Sequence, residues 1–179
     1  GGTLSAPFCS CFFLFLLQGP VKRSTIDLYV RQEALIMEQR DSFSYQCGVV
    51  DAFNEMVAAE VKALALSHPM DTPEEMETLI AYAHESCRRH GTKLYPECDP
   101  LITDLFPASL NRGKYHILFY KADHVIEEYI RLKDRKAATV GAGAYFGGNR
   151  SRIARDYGRL LSYPEETIRR LLSENTDRE

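Results

Sequence analysis

Apolar positions recur at helical spacing over most of the chain and switch to an alternating period in one place. Ile26, Val30, Ala34 and Met37 fall at steps of three and four and predict a helix over Ser24–Arg40. A polar turn is expected at Asp41–Ser44. Val50, Phe53, Val57, Val61 and Leu64 then mark a second helix over Gln46–Ser67, ended by Pro69. The third helix carries the clearest boundary signals. Thr72 and Glu75 form a capping box, Pro73 stands at the first helical position and Gly91 supplies the stop. Met76, Leu79 or Ile80, Ala83 and Cys87 form its buried face.

After Gly91 the period shortens. Thr92–Tyr95 predicts a short strand, and Lys114–Lys121 a firmer one. Both faces of the latter, Tyr115, Ile117, Phe119 and His116, Leu118, Tyr120, are largely apolar, so it is expected at the centre of a sheet. Asp123 is expected to cap a helix to about Leu132, with Ile126, Tyr129 and Ile130 inward. Lys133–Asn149 is rich in charge, small residues and glycine. A helix to Leu161 follows, capped by Asn149 or Ser151, with Ile153, Tyr157, Leu160 and Leu161 inward. Ser162 and Glu165 suggest a second capping box around Pro164, opening a last helix that buries Ile168, Leu171 and Leu172. Ser173–Glu179 reads as a frayed polar tail.

Two strands do not make a stable sheet. The apolar N-terminal segment and Ala138–Phe146 are the candidates to complete it. The expected fold is thus a helix-rich α/β (α+β) domain over 1–179, with a small mixed sheet of three or four strands covered by helices. Its length of 179 residues suits one domain that buries a core without disulfides.

Composition adds limits. A net charge of −3 gives no global reason to expect nucleic acid, so such a partner has to rest on a local patch. Five irregularly spaced cysteines, Cys9, Cys11, Cys47, Cys87 and Cys98, read as reduced apolar residues of a cytoplasmic protein. The run Phe8–Leu17 is too short to span a bilayer and lacks a basic flank, so no membrane role is expected. Cys11–Leu17 is expected as a buried strand or short helix, or as a face for homo-oligomer formation if exposed.

The candidate chemistry gathers at 141–159. Gly141, Gly143, Gly147, Gly148 and Asn149 precede a helix that carries Arg150, Arg152, Arg155 and Arg159. A helix N-terminus presents free N–H groups, and glycine permits close backbone approach to an anion. Arginine adds bidentate contacts. Neither a Walker A loop nor the dinucleotide fingerprint is present. Arg152, Arg155 and Arg159 share one helix face, with Lys133, Arg135 and Lys136 nearby. The expected ligand is a phosphate-bearing small molecule, such as a nucleotide, or RNA. No motif names a cofactor. The bland alternatives are a flexible connection and a solvated face neutralised by Asp156, Glu165 and Glu166.

Other constellations are weaker. A helix-turn-helix would need its tight turn nearer Gly158, and its second helix would begin with the acidic Glu165 and Glu166. His84, Cys87 and His90, with Cys98 in the following turn, are zinc-type ligands, but a strict step of three rotates the first three around the helix, and no metal site is expected. A small-molecule enzyme would place its pocket at the end of the 114–121 strand, near His124 and the glycine-rich segment, with His116 within the strand as a further candidate.

Tyr157-Gly158-Arg159-Leu160-Leu161-Ser162-Tyr163-Pro164-Glu165-Glu166 resembles the C-terminal signature of an uncharacterised archaeal family, Gly-Arg-Leu-Leu-Gly-Tyr-Pro followed by paired cysteines. Ser162 stands in place of the glycine, and Glu166-Thr167 in place of the cysteines. The resemblance implies a cytosolic prokaryotic protein of unknown activity and transfers no functional residue.

Overall fold

A computed structural model describes residues 23–179, with side chains described chiefly from residue 42 onward. The apolar run Phe8–Leu17 lies outside the described residues. The chain divides into two compact units, 1–42 and 43–179. The first helix, α1 (Arg23–Ala58), begins in one unit and ends in the other. The turn expected at Asp41–Ser44 is absent, because no proline or glycine there interrupts the backbone ladder.

Within the second unit the order is β1 (Leu64–Leu66), α2 (Pro73–His90), β2 (Lys93–Glu97), α3 (Ala108–Asn111), β3 (His116–Tyr120), α4 (Asp123–Gly141), α5 (Gly147–Leu160) and α6 (Glu165–Glu174). The helix expected to reach Ser67 stops at Ala58 instead. Glu60 adopts the left-handed conformation (φ 60°). The Glu60 and Val61 amides donate back to the Val57 and Met56 carbonyls, which closes the helix end as a Schellman motif. Leu64–Leu66 is thereby released as a strand.

The sheet has the order β1-β3-β2 and is antiparallel throughout. β1, not residues 138–146, completes it. The central position of β3 agrees with its sequence, since all five of its residues are buried. Ile117 and Phe119 pack with Ala65 against Val50 and Val57 of α1 and Leu79 and Ala83 of α2. Leu118 and Tyr120 face the other way, onto Tyr129 of α4, Tyr157 of α5 and Ile168 of α6. Alternation along one strand therefore builds two cores, with helices on both faces of the sheet.

The α2 boundaries are as expected. Thr72 Oγ1 accepts from the Glu75 amide, Glu75 Oε2 accepts from the Asp71 amide, and Gly91 closes the helix with φ 67°. α4 departs from expectation. It continues past Leu132 to Gly141, because Lys133, Arg135, Lys136, Ala137 and Ala138 are strong helix formers. Asp123 is its first residue and makes no capping bond, and Ile130 is exposed while Val125 and Leu132 are buried. α5 starts at Gly147, before either expected cap, and no side chain caps it.

The expected box at Ser162 and Glu165 does not form. Ser162 is left-handed (φ 63°), which turns its Oγ away from α6 to accept from the Ala63 amide. Lys62 Nζ donates to the Leu161 carbonyl beside it. Residues 175–179 are not a frayed tail. Asn175 is buried and donates to the Asp104 carbonyl, and Asp177 accepts from the Ala108 and Ser109 amides.

Candidate functional site

The expected site divides in two. Arg150 and Arg152 are two residues apart, so their side chains leave α5 about 200° apart. Arg150 turns inward. Its Nε and Nη2 grip Asp104 at 2.7 and 2.5 Å, and Nη2 also donates to the Glu179 backbone oxygen at 2.7 Å. Arg152, Arg155 and Arg159 turn outward and are exposed.

The glycines serve the connection between helices. Gly143 and Gly147 have φ of 63° and 52°, a region that disfavours side chains. Gly141 ends α4, and Gly148 lies in the first turn of α5. A β-carbon at Gly141 or Gly148 would meet nothing within 4 Å, so neither is needed for packing. Asn149 Nδ2 donates to the Ala144 carbonyl and closes the loop onto α5.

Of the flanking cations, only Arg135 joins the outer face. Lys133 bends to the buried Glu97, 2.9 Å from both of its carboxylate oxygens. Lys136 reaches the Ile102 carbonyl and Glu179. The sequence did not anticipate Arg131, which stands one helical turn before Arg135 on α4. Its position, four residues from Arg135, was available as a signal.

Three adjoining solvent-open hollows run along the α4–α5 face. Arg131, Leu132, Arg135, Asp156 and Arg159 line the first together with Glu128. Gly148, Ser151, Arg152, Arg155, Asp156 and Arg159 line the second. Thr139, Ala142, Asn149 and Arg152 contribute to the third, along with Arg135. Asp156 is the hub. It pairs with Arg135 and lies 3.1 Å from Arg159 Nη1. Arg159 Nε also meets Glu165 at 2.5 Å, and that hydrogen bond, with the arginine charges around it, holds the Glu165 carboxyl below its ordinary range. Among the described residues, Arg152 and Arg155 form no ion pair. Arg131 in turn lies 3.5 Å from Glu127, so five arginines meet four carboxylates along this face, Glu127, Glu128, Asp156 and Glu165, with two arginines free to take an anion.

The remaining candidates do not come together. His124 is in the first turn of α4, whereas His116 is buried in β3 between Ser67 and Asn111. His84 and Cys98 are exposed while Cys87 is buried. Among the described residues, no three His, Cys, Asp or Glu side chains converge as a metal-binding group. No described helix is long and apolar enough to cross a membrane.

A second polar cluster joins α1 to α2. Asp51 accepts from Tyr82 Oη and Ser86 Oγ, each at 2.6 Å, and from Arg89 Nη2 at 2.7 Å. It is an internal clip, since all three donors are spent on one carboxylate. Comparison with family models, curated proteins and solved structures finds no significant match to this chain.

Proposed function

We propose that the protein binds the phosphate backbone of single-stranded RNA along the α4–α5 face. The observation that carries this reading is the continuous row of Arg131, Arg135, Arg152, Arg155 and Arg159 along three adjoining open hollows. A lone nucleotide calls for an enclosed pocket with a few convergent polar groups. An open, arginine-lined trough suits a strand whose phosphates repeat. Arg152 and Arg155 are the anchors, because neither has to leave a carboxylate to engage a phosphate.

The net negative charge of the whole chain limits the interaction to this face and makes it sensitive to salt. Fluorescence anisotropy with a labelled single-stranded oligoribonucleotide, titrated over a salt series, tests the reading. Engaging three phosphates gives a log–log salt slope of about −2. Arg152→Glu/Arg155→Glu abolishes binding while leaving the circular dichroism spectrum unchanged. Absence of binding at low salt, or equal binding by the double variant, refutes the proposal.

A further inference from the structure

Behind α5, on the side away from the arginine row, the segment after α6 inserts Glu179 among three side chains that converge from different elements. Lys136 comes from α4, Tyr145 from the α4–α5 connection and Arg150 from the first turns of α5. Lys136 Nζ lies 2.5 Å from Glu179 Oε2, and its side chain is only 13% exposed. Arg150 donates to the Glu179 backbone oxygen. The Tyr145 ring supports both cations, 5.2 Å from Lys136 Nζ and 5.5 Å from the Arg150 guanidinium carbon.

Glu179 does not use everything this socket offers. The Tyr145 hydroxyl is buried and completes no regular hydrogen bond, even with the Glu179 carboxylate beside it. A buried donor without a well-formed partner is costly, and a better-placed acceptor would relieve it. The charges are also uneven once Glu179 is set aside. Asp104 then pairs with Arg150 alone, which leaves the charge of Lys136 unmatched. Burial, followed by the negative charge of Glu179, pushes the Tyr145 phenol up to about 12, so the hydroxyl remains a donor near neutral pH.

We propose that Lys136, Tyr145 and Arg150 form a second anion site, for a phosphate or carboxylate group, which Glu179 fills from within the chain. A tetrahedral phosphate offers more acceptors than a carboxylate and can reach the Tyr145 hydroxyl while retaining Lys136 and Arg150. The ligand competes with residues 175–179 for the socket, so binding releases the segment from its place. This site does not depend on RNA binding, because its residues are not those of the outer arginine row.

The test is calorimetric titration of the full chain and its Glu179→Gln variant with inorganic phosphate and, separately, acetate. The variant is expected to bind phosphate at least about tenfold more tightly than the parent, a difference of about 1.4 kcal/mol. Adding Tyr145→Phe is expected to reduce that gain, and adding Lys136→Met to remove it. Tighter binding of acetate than phosphate would support the site and assign it to carboxylates. Hydrogen exchange on the unaltered chain gives a readout independent of any substitution. Phosphate should raise deuterium uptake at 176–179, whereas chloride at equal ionic strength should not. Equal affinities in parent and variant for both anions, or an uptake at 176–179 that ignores phosphate, overturns the proposal.

Discussion

Gly158 of α5 lies so close to Ile168 of α6 that a β-carbon on residue 158 would stand 2.7 Å from Ile168 Cγ1 and 2.9 Å from its Cδ1. Ile168 is fully buried, and Leu105 closes the same point at 3.4 Å, so the side chain has little room to move. Glycine inside a helix costs about 1 kcal/mol relative to alanine. Here that cost is accepted so that two helices can touch.

Gly158→Ala should therefore destabilise the protein despite its better helix propensity. Overpacking a close-packed site costs about 1–3 kcal/mol, more than the propensity gain at the upper end. Urea unfolding of the variant is expected to show a net loss of up to about 2 kcal/mol. Ile168→Ala alone should cost about 2–5 kcal/mol through the cavity it leaves. The double variant should lose less than the sum of the two, because the new methyl enters the space vacated by isoleucine. Strict additivity would show that the two residues do not share this contact.

The clip between α1 and α2 predicts both a mutational and an acid response. Burial alone would raise the Asp51 carboxyl, but the Ser86 and Tyr82 hydroxyls and the Arg89 charge overrule it and hold it below its ordinary value. A depressed carboxylate contributes stability above its unfolded value of about 3.9 and loses it as pH falls below that point. Ser86→Ala removes one of the hydroxyls and should cost about 1.5–3 kcal/mol at neutral pH, as expected for a hydrogen bond to a charged acceptor. The acid limb of its stability profile should be shallower than that of the parent. An identical limb would show that Ser86 does not help hold the carboxylate.

His116 responds in a higher pH window. Its Nδ1 donates to the Ser67 carbonyl at 3.2 Å, and Nε2 lies 3.0 Å from the Asn111 side-chain amide. Burial dominates and lowers its proton affinity, His68 adds to the effect, and the Ser67 carbonyl and the Glu97 charge oppose it. The native state thus binds fewer protons than the unfolded state near pH 6. Stability is then complete above the ordinary histidine value of about 6.5 and declines as pH falls, by at most about 1.4 kcal/mol per pH unit. Denaturant midpoints taken between about pH 7 and pH 5 should fall more steeply for the parent than for His116→Gln. Parallel slopes would remove the histidine from the acid response.

Much of the fold was written locally. The caps of α2 and the double apolar face of β3 involve residues within a few positions of one another. The structure departs from the local pattern where one residue type allows two outcomes. Val57, Val61 and Leu64 keep helical spacing, yet the left-handed turn at Glu60, a residue with no glycine signal, ends α1. Residue 162 is the converse: its φ of 63° suits glycine, and the sequence places serine there. The site was half legible. Helical geometry alone separates Arg150 from Arg152. That Arg150 turns to Asp104 and Glu179, and Lys133 to Glu97, depends on pairings 29 to 46 residues apart that no spacing rule supplies.

Asp156 tests whether the outer arginine row acts as one surface. It occupies the centre of the row and pairs with both Arg135 and Arg159. Exposed pairs of this kind contribute little to stability, typically below about 1 kcal/mol each. Asp156→Asn should therefore leave the unfolding midpoint nearly unchanged. It frees Arg135, releases Arg159 from one of its two carboxylates and removes a charge that repels phosphate. If the row holds an RNA strand, the variant should bind the oligoribonucleotide more tightly, and the salt slope should steepen by up to about 1.4, the contribution of two further phosphates. Arg159 gains less than Arg135, because Glu165 still holds its Nε. Glu165→Gln combined with Asp156→Asn should thus bind more tightly than either single variant. A slope unchanged by both substitutions would mean that Arg135 and Arg159 do not engage the strand, confining the interaction to Arg152 and Arg155.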